Sequence, residues 1–112
     1  MYEQNEIQQV ELSLEEAKKL VEFGEAIERL NQNRDFKTVI LEGYMGEEAK
    51  RLVFLTGEYN LTPEAREQVH QNIHGIAALR NYLVARTQIG EIAKKEVQDF
   101  SETLEEIREA AE

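Results

Sequence analysis

The chain of 112 residues is 41% hydrophobic and carries 23 acidic against 13 basic residues, a formal net charge of −10. Its length suits one domain. Its excess of acidic residues argues against direct binding to nucleic-acid phosphates or anionic lipid, because such binding requires a basic protein surface. The absence of cysteine excludes disulfides and thiolate metal sites, and no apolar run approaches the roughly 18 residues of a membrane span. With one proline and few aromatic residues, the composition favours an all-α fold, either a helical hairpin or a small bundle of three to four helices.

The first predicted element is a helix over residues 13–31, preceded by a polar arm over residues 1–12. Ser13 and Glu16 have the Ser-x-x-Glu spacing of a capping box, in which each side chain bonds the other residue's backbone amide. Gly24 lies within the apolar stripe of this helix, where glycine weakens a helix or allows a close neighbour. The stripe consists of Leu14, Ala17, Leu20, Phe23, Ile27 and Leu30.

A second helical region is predicted over residues 35–56, with Asp35 as its candidate cap. Gly43 and Gly46 lie close together within it, so it is either one kinked helix or two short helices. Phe54 stands beside residues that already form an apolar face. The end of the region is therefore apolar on more than one side, and we expect it to be largely buried.

The final predicted element is a long helix over residues 62–111. It opens with Thr62, Pro63 and Glu64, which supply a hydroxyl cap, a proline where no amide is needed and an acid in the first turn. At 1.5 Å per residue, a helix of about 50 residues is roughly 75 Å long. One helix of this length is unusual for a small domain, so the helix is not assumed to be continuous.

That helix carries a seven-residue repeat, which predicts a stripe buried against other helices. Its a positions are Val69, Ile76, Leu83, Gly90, Val97, Leu104 and Ala111. Its d positions are Asn72, Leu79, Arg86, Ala93, Phe100 and Ile107. Arg86 and Gly90 are poor residues for such a stripe, so the helix is either continuous or broken or bent near positions 86–90.

The two halves of the repeat differ in the partners that the sequence offers them. We expect the first half to pack on residues 14–55, and the second half to lack partners within its own chain. Around the second half, five glutamates against Arg108 give the last eleven residues a net charge of −4. These acidic side chains form either a solvated helix face or a surface that binds a basic partner. The candidate interaction residues are Val97, Phe100, Leu104 and Ile107.

The candidate metal ligands are Glu67, His70 and His74, which share one helix face. Carboxylate and imidazole at this spacing can bind one metal, but the shell is incomplete unless a second copy contributes. The alternative is two surface or interface histidines. The two serines, Ser13 and Ser101, lie in no nucleophile motif. We therefore predict no catalytic residues, no cofactor and no enzyme activity.

Three stretches of the sequence resemble a known class of proteins. They are L-S-L-E-E-A-K-K-L over residues 12–20, N-R-D-F-K-T-V-I-L-E-G-Y-M-G-E-E-A-K-R-L-V-F-L over residues 33–55 and L-R-N-Y-L over residues 79–83. The chain from Glu11 to Glu109 is similar to small acidic helical proteins encoded by tailed bacteriophages. The resemblance implies a virion component or assembly factor and supplies no catalytic residues.

Two functional hypotheses follow from these observations. The first is a non-enzymatic structural or assembly protein of a tailed phage, which binds its own copies or head and tail proteins through its helices. It would work in the host cytoplasm, with incorporation into the virion left open. The second is an acidic inhibitor that occupies the nucleic-acid or nucleotide site of a host protein, which the charge of −10 favours.

Overall fold

The computed structural model describes residues 4–111, and all of its regular structure is helical. Four α-helices and one π-helix follow one another along the chain. They are α1 (Gln4–Gln32), α2 (Arg34–Phe36), the π-helix (Lys37–Glu48), α3 (Ala49–Leu55) and α4 (Pro63–Ala111). The predicted all-α class and the long C-terminal helix are confirmed. Within the described residues, no helix is both long and apolar enough to cross a membrane.

The chain divides into two compact units, where the sequence predicts a single domain. The terminal unit comprises residues 1–27 and 86–112, and the central unit comprises residues 28–85. Helices α1 and α4 contribute to both units: the central unit is one continuous stretch of sequence, whereas the terminal unit combines two.

In the terminal unit, the first part of α1 packs antiparallel to the second part of α4. Gly24 and Gly90 lie in contact, and a Cβ atom on Gly90 would be only 3.1 Å from the Cα atom of Gly24. Glycine is favoured at both positions because a Cβ atom there would meet backbone instead of a movable side chain. Ala17 and Ala93 are also buried in this unit, so small residues let the two helices approach closely.

The predicted helix start is wrong, and so is the predicted arm over residues 4–12; residues 1–3 of that arm lie outside the described residues. Helix α1 begins at Gln4, about two and a half turns before Ser13. Ile7 and Val10, which were assigned to the arm, are half-buried in α1. These apolar residues stabilise the extra turns because they lie in the unit that also contains the end of α4.

Helix α4 is continuous from Pro63 to Ala111, so no break occurs near residues 86–90. The two poor stripe residues are accommodated in the terminal unit. Gly90 fits against Gly24, and the Arg86 guanidinium lies over the Phe23 ring, 5.2 Å from its centroid. A cation over an aromatic face is a favourable contact, which explains why an arginine is tolerated at a d position.

In the central unit, the π-helix and α3 pack against the first part of α4. The core consists of Leu52, Val69 and Ile76. Partly buried side chains that surround it are Tyr44, Met45, Ala49, Leu55 and Ile73. The expectation that the first half of the repeat packs on residues within 14–55 is confirmed for this unit.

The second helical region differs from the prediction in its cap and in its regularity. Asn33 caps it instead of Asp35, because the Asn33 side chain accepts a hydrogen bond of 2.9 Å from the Phe36 amide. Gly43 and Gly46 do not break the helix. Both lie inside the π-helix, whose wider hydrogen-bonded turns absorb the irregularity that the glycines predict.

The loop between α3 and α4 is held by Arg66. Its guanidinium donates to the carbonyl oxygens of Thr56 and Glu58, at 3.0 and 2.8 Å. The Ala65 amide donates to the Thr62 hydroxyl at 3.1 Å, which confirms the predicted start of α4. These contacts fix the connection between the two helices of the central unit.

Candidate interaction surfaces

The four predicted interaction residues are not a free surface. Leu104 and Ile107 are each only 6% exposed, and Val97 and Phe100 are half-buried. The only other segment of the terminal unit is α1, so α1 covers them. The expectation that this stretch lacks partners within its own chain is wrong.

The register of the two helices explains this burial. Because Gly24 faces Gly90, residue numbers at facing positions of an antiparallel pair add up to about 114. Val10 then lies near Leu104, and Ile7 near Ile107. The first turns of α1, which the sequence predicts to be an arm, therefore lie against the end of α4.

The candidate metal ligands lie on one exposed face of α4 in the central unit. Glu67, His70 and His74 line a small open pocket of about 190 Å³ together with Gln71. The Gln71 amide donates to the Glu67 carboxylate at 3.4 Å. Within residues 4–111, no group of three or more histidine, aspartate or glutamate side chains is placed to hold a metal ion.

A different surface of the central unit exposes large apolar side chains. We call it the π–α3 face, the side of the π-helix and α3 that is turned away from Leu52. An open groove of about 750 Å³ runs along this face. The residues that line it are Glu42, Gly46, Glu47, Lys50, Arg51 and Phe54.

Three apolar residues of the π-helix and α3 are strongly exposed, and Phe54 among them lines the groove. Val39 is 62% exposed, Val53 57% and Phe54 68%. The expectation that Phe54 is largely buried is wrong, because α3 buries its opposite side, through Leu52. An exposed aromatic side chain that lines an open groove, as Phe54 does, marks a candidate interaction site.

Two oppositely charged residues of the π-helix and α3, Glu48 and Arg51, form an ion pair. Arg51 donates two hydrogen bonds to Glu48, at 2.7 and 2.9 Å. This bond lowers the pKa of Glu48 and raises that of Arg51, because it stabilises the charged form of each. Both groups are exposed, so the pair orders the surface more than it stabilises the fold.

The net charge of the protein is concentrated in the terminal unit. That unit holds fifteen acidic and six basic residues, a net charge of −9, whereas the central unit holds eight and seven, a net of −1. The acids of α4 beyond residue 95 all lie on the exposed surface of the terminal unit. They are Glu96, Asp99, Glu102, Glu105, Glu106 and Glu109.

Comparisons with protein-family models, with curated proteins and with solved structures found no match to this chain. The similarity to phage proteins from Glu11 to Glu109 therefore stays a prediction. Two surfaces remain from which a function can be inferred: the π–α3 face and the acidic surface of the terminal unit.

Proposed function

We propose that this chain is a non-enzymatic structural or assembly protein of a tailed phage that acts by binding other protein chains. The observation that carries the proposal is the open groove of the π–α3 face, which Phe54 lines while it is 68% exposed. A large aromatic side chain left exposed in an open groove is characteristic of sites that a partner covers.

The position of this face also agrees with the phage resemblance. The stretch from Asn33 to Leu55, one of the three that carry the resemblance, comprises α2, the π-helix and α3. π-helical turns are rare and are frequent at functional sites.

Quantitative mass spectrometry of purified phage particles and of assembly intermediates tests this proposal. We expect the protein in at least one of these fractions, together with head or tail proteins. Protein that carries Phe54→Ala should be depleted from that fraction, whereas Tyr59→Ala, which alters a 96% exposed residue outside the face, should not be. Absence from every fraction, with no binding to isolated head or tail proteins, would contradict the proposal.

A second candidate function is an acidic inhibitor of a host nucleic-acid- or nucleotide-binding protein. The net charge of −9 on the terminal unit favours it, because a dense acidic surface can compete with a nucleic acid for a basic site. Recovery of a host nuclease or polymerase by tagged protein would support this function.

The inhibitor function has its own control pair. Changing Glu102, Glu105 and Glu106 to glutamine should abolish such recovery, because it removes charge from the exposed surface of the terminal unit. Glu58→Gln and Glu64→Gln, in the central unit, should leave it unchanged.

A further inference from the structure

We propose that His70 and His74 bind one divalent transition-metal ion on the exposed face of α4, with the two imidazoles as the ligands from the chain and water in the other coordination positions. The ion belongs to the late first-row class that imidazole prefers, Ni²⁺, Cu²⁺ or Zn²⁺. The inference goes beyond the proposed function and does not rest on it. It concerns residues of the central unit alone.

The spacing of the two histidines places both imidazoles on one side of a helix. Helix α4 is continuous through His70 and His74, so the two residues are separated by little more than one regular turn. Side chains four residues apart on a helix are neighbours, with their Cβ atoms about 5–6 Å apart. Since each imidazole nitrogen lies only about 2.0–2.1 Å from a bound zinc ion, rotation of the two side chains brings both rings to one ion without a change in the backbone.

The structure places both histidines at one opening in the surface. His70 and His74 line a pocket of about 190 Å³ with Glu67 and Gln71, and all four residues are exposed. A hydrated ion can therefore reach both rings from solvent, and the pocket has room for water ligands, each of which takes about 30 Å³. All four residues belong to α4, so binding requires only that this part of the chain is helical.

The charges around the pocket favour a cation. The Glu67 carboxylate accepts a hydrogen bond of 3.4 Å from the Gln71 amide, which holds its negative charge beside the pocket. The two bases of residues 63–80 are Arg66 and Arg80, and neither lines the pocket. Arg66 is instead held by two backbone carbonyl oxygens of the preceding loop.

The ligands determine which ions bind. In the part of the chain that the structure describes, no three histidine, aspartate or glutamate side chains are placed to hold a metal ion. Glu67 is therefore a nearby charge and not a third ligand. Two imidazoles without a carboxylate select Ni²⁺, Cu²⁺ and Zn²⁺ over Mg²⁺ and Ca²⁺, which prefer oxygen ligands. Because open coordination positions remain, binding is reversible and weaker than in a closed structural site.

Isothermal titration calorimetry of the full chain with NiCl₂ tests the proposal, in an excess of MgCl₂ that occupies surface carboxylates. The wild type should bind one Ni²⁺ per chain. His70→Ala and His74→Ala should each raise the dissociation constant at least about tenfold, because two linked ligands are reduced to one. These are the only histidines of the chain, so no other imidazole can replace the one removed.

Moving one histidine along the helix tests the spacing at constant composition. Ala77 and Ala78 are exposed positions of α4. The double variant His70→Ala and Ala78→His keeps two imidazoles four residues apart, so it should bind Ni²⁺ within a few-fold of the wild type. The double variant His74→Ala and Ala77→His separates them by seven residues, about 10.5 Å along the helix axis. It should bind as weakly as His74→Ala, because the two rings cannot share one ion.

Two further measurements identify the ligands. Glu67→Gln should raise the dissociation constant only a few-fold, because it removes a nearby charge and no ligand. A loss as large as that of His70→Ala would contradict the assignment of two ligands. Proton magnetic resonance with a small amount of paramagnetic Cu²⁺ should broaden the ring signals of both histidines together, and broadening of only one of them would contradict a shared ion.

The results that overturn the proposal are specific to this pocket. They are no binding of Ni²⁺ in the presence of Mg²⁺, binding that survives both His70→Ala and His74→Ala, or equal binding by the two double variants. The second result would place the ion on surface carboxylates, and the third would show that the spacing is irrelevant. Circular dichroism of each variant confirms that lost binding is not lost helix. The presence of the protein among head and tail proteins tests the proposed function and is independent of this site.

Discussion

Replacing Gly90 by alanine would place a methyl group where the backbones of α1 and α4 touch. This methyl group would lie 3.1 Å from the Cα atom of Gly24 and 3.3 Å from the carbonyl oxygen of Leu20. Packed carbon atoms are separated by about 3.5–4.0 Å, so the two helices would have to part by a few tenths of an ångström. No rotation of a side chain can relieve the contact, because both neighbouring atoms belong to the backbone.

The expected loss of stability is the difference between two opposing effects. Overpacking of a tight contact costs about 1–3 kcal/mol, whereas alanine in place of glycine inside a helix regains about 1 kcal/mol. Gly90→Ala should therefore lower the free energy of unfolding by about 1 kcal/mol. The matched control is Gly75→Ala in the same helix, whose methyl group would be 3.6 Å from the Tyr44 hydroxyl, an ordinary contact.

Urea unfolding followed by circular dichroism measures the comparison. Gly75→Ala should raise the free energy of unfolding by up to about 1 kcal/mol, so the two variants should differ by about 2 kcal/mol. Gly24→Ala, whose methyl group would lie 3.2 Å from the Cα atom of Gly90, should behave like Gly90→Ala. If Gly90→Ala is as stable as Gly75→Ala, the close approach of the two helices is not the reason for glycine there.

Three further variants test the packing and the electrostatics. Leu52→Ala should lose about 2–5 kcal/mol in urea unfolding because Leu52 is buried, whereas its exposed neighbour Val53→Ala should change stability by at most about 0.5 kcal/mol; equal losses would contradict the assigned core. Asn31→Leu should be neutral or stabilising, because the Asn31 Oδ1 atom is buried without a hydrogen-bond partner among the described residues, and a clear loss of stability would reveal a partner. Glu48→Gln should lower the melting temperature slightly at pH 7 and not at about pH 2, because the hydrogen bond from Arg51 lowers the pKa of Glu48. The stability that this bond contributes is fully present above the ordinary carboxyl pKa of about 4.3 and is lost as the pH falls through the lowered pKa. A difference in melting temperature that does not depend on pH would exclude the ion pair as its cause.

The sequence predicts the buried stripe of α4 well. Val69, Ile76 and Leu104 all stand at a positions of the repeat, and all are buried. A seven-residue pattern sustained over a long helix specifies which side is covered, because only one side meets other helices. The pattern does not specify which segment packs on this stripe, since any helix with an apolar face of suitable length could cover it.

The errors have a common physical origin in contacts between residues far apart in sequence. The capping-box spacing at Ser13 is a local signal, whereas the burial that extends α1 to Gln4 comes from the end of α4. The π–α3 face was missed for the same reason. Phe54 lies only two residues from the core residue Leu52, and only the packing of α3 determines which of the two is covered.

The antiparallel register at Gly24 and Gly90 also has a consequence for connectivity. By this register the first turn of α1 and the last turn of α4 lie at the same end of the terminal unit. A short linker from Ala111 to Gln4 could therefore close the chain, and a new opening at Asn60 would leave the Arg66 contacts to Thr56 and Glu58 intact. Such a circular permutant would run from α4 into α1 and should fold to the same helix packing, because the order in which the helices are joined is not what holds them together.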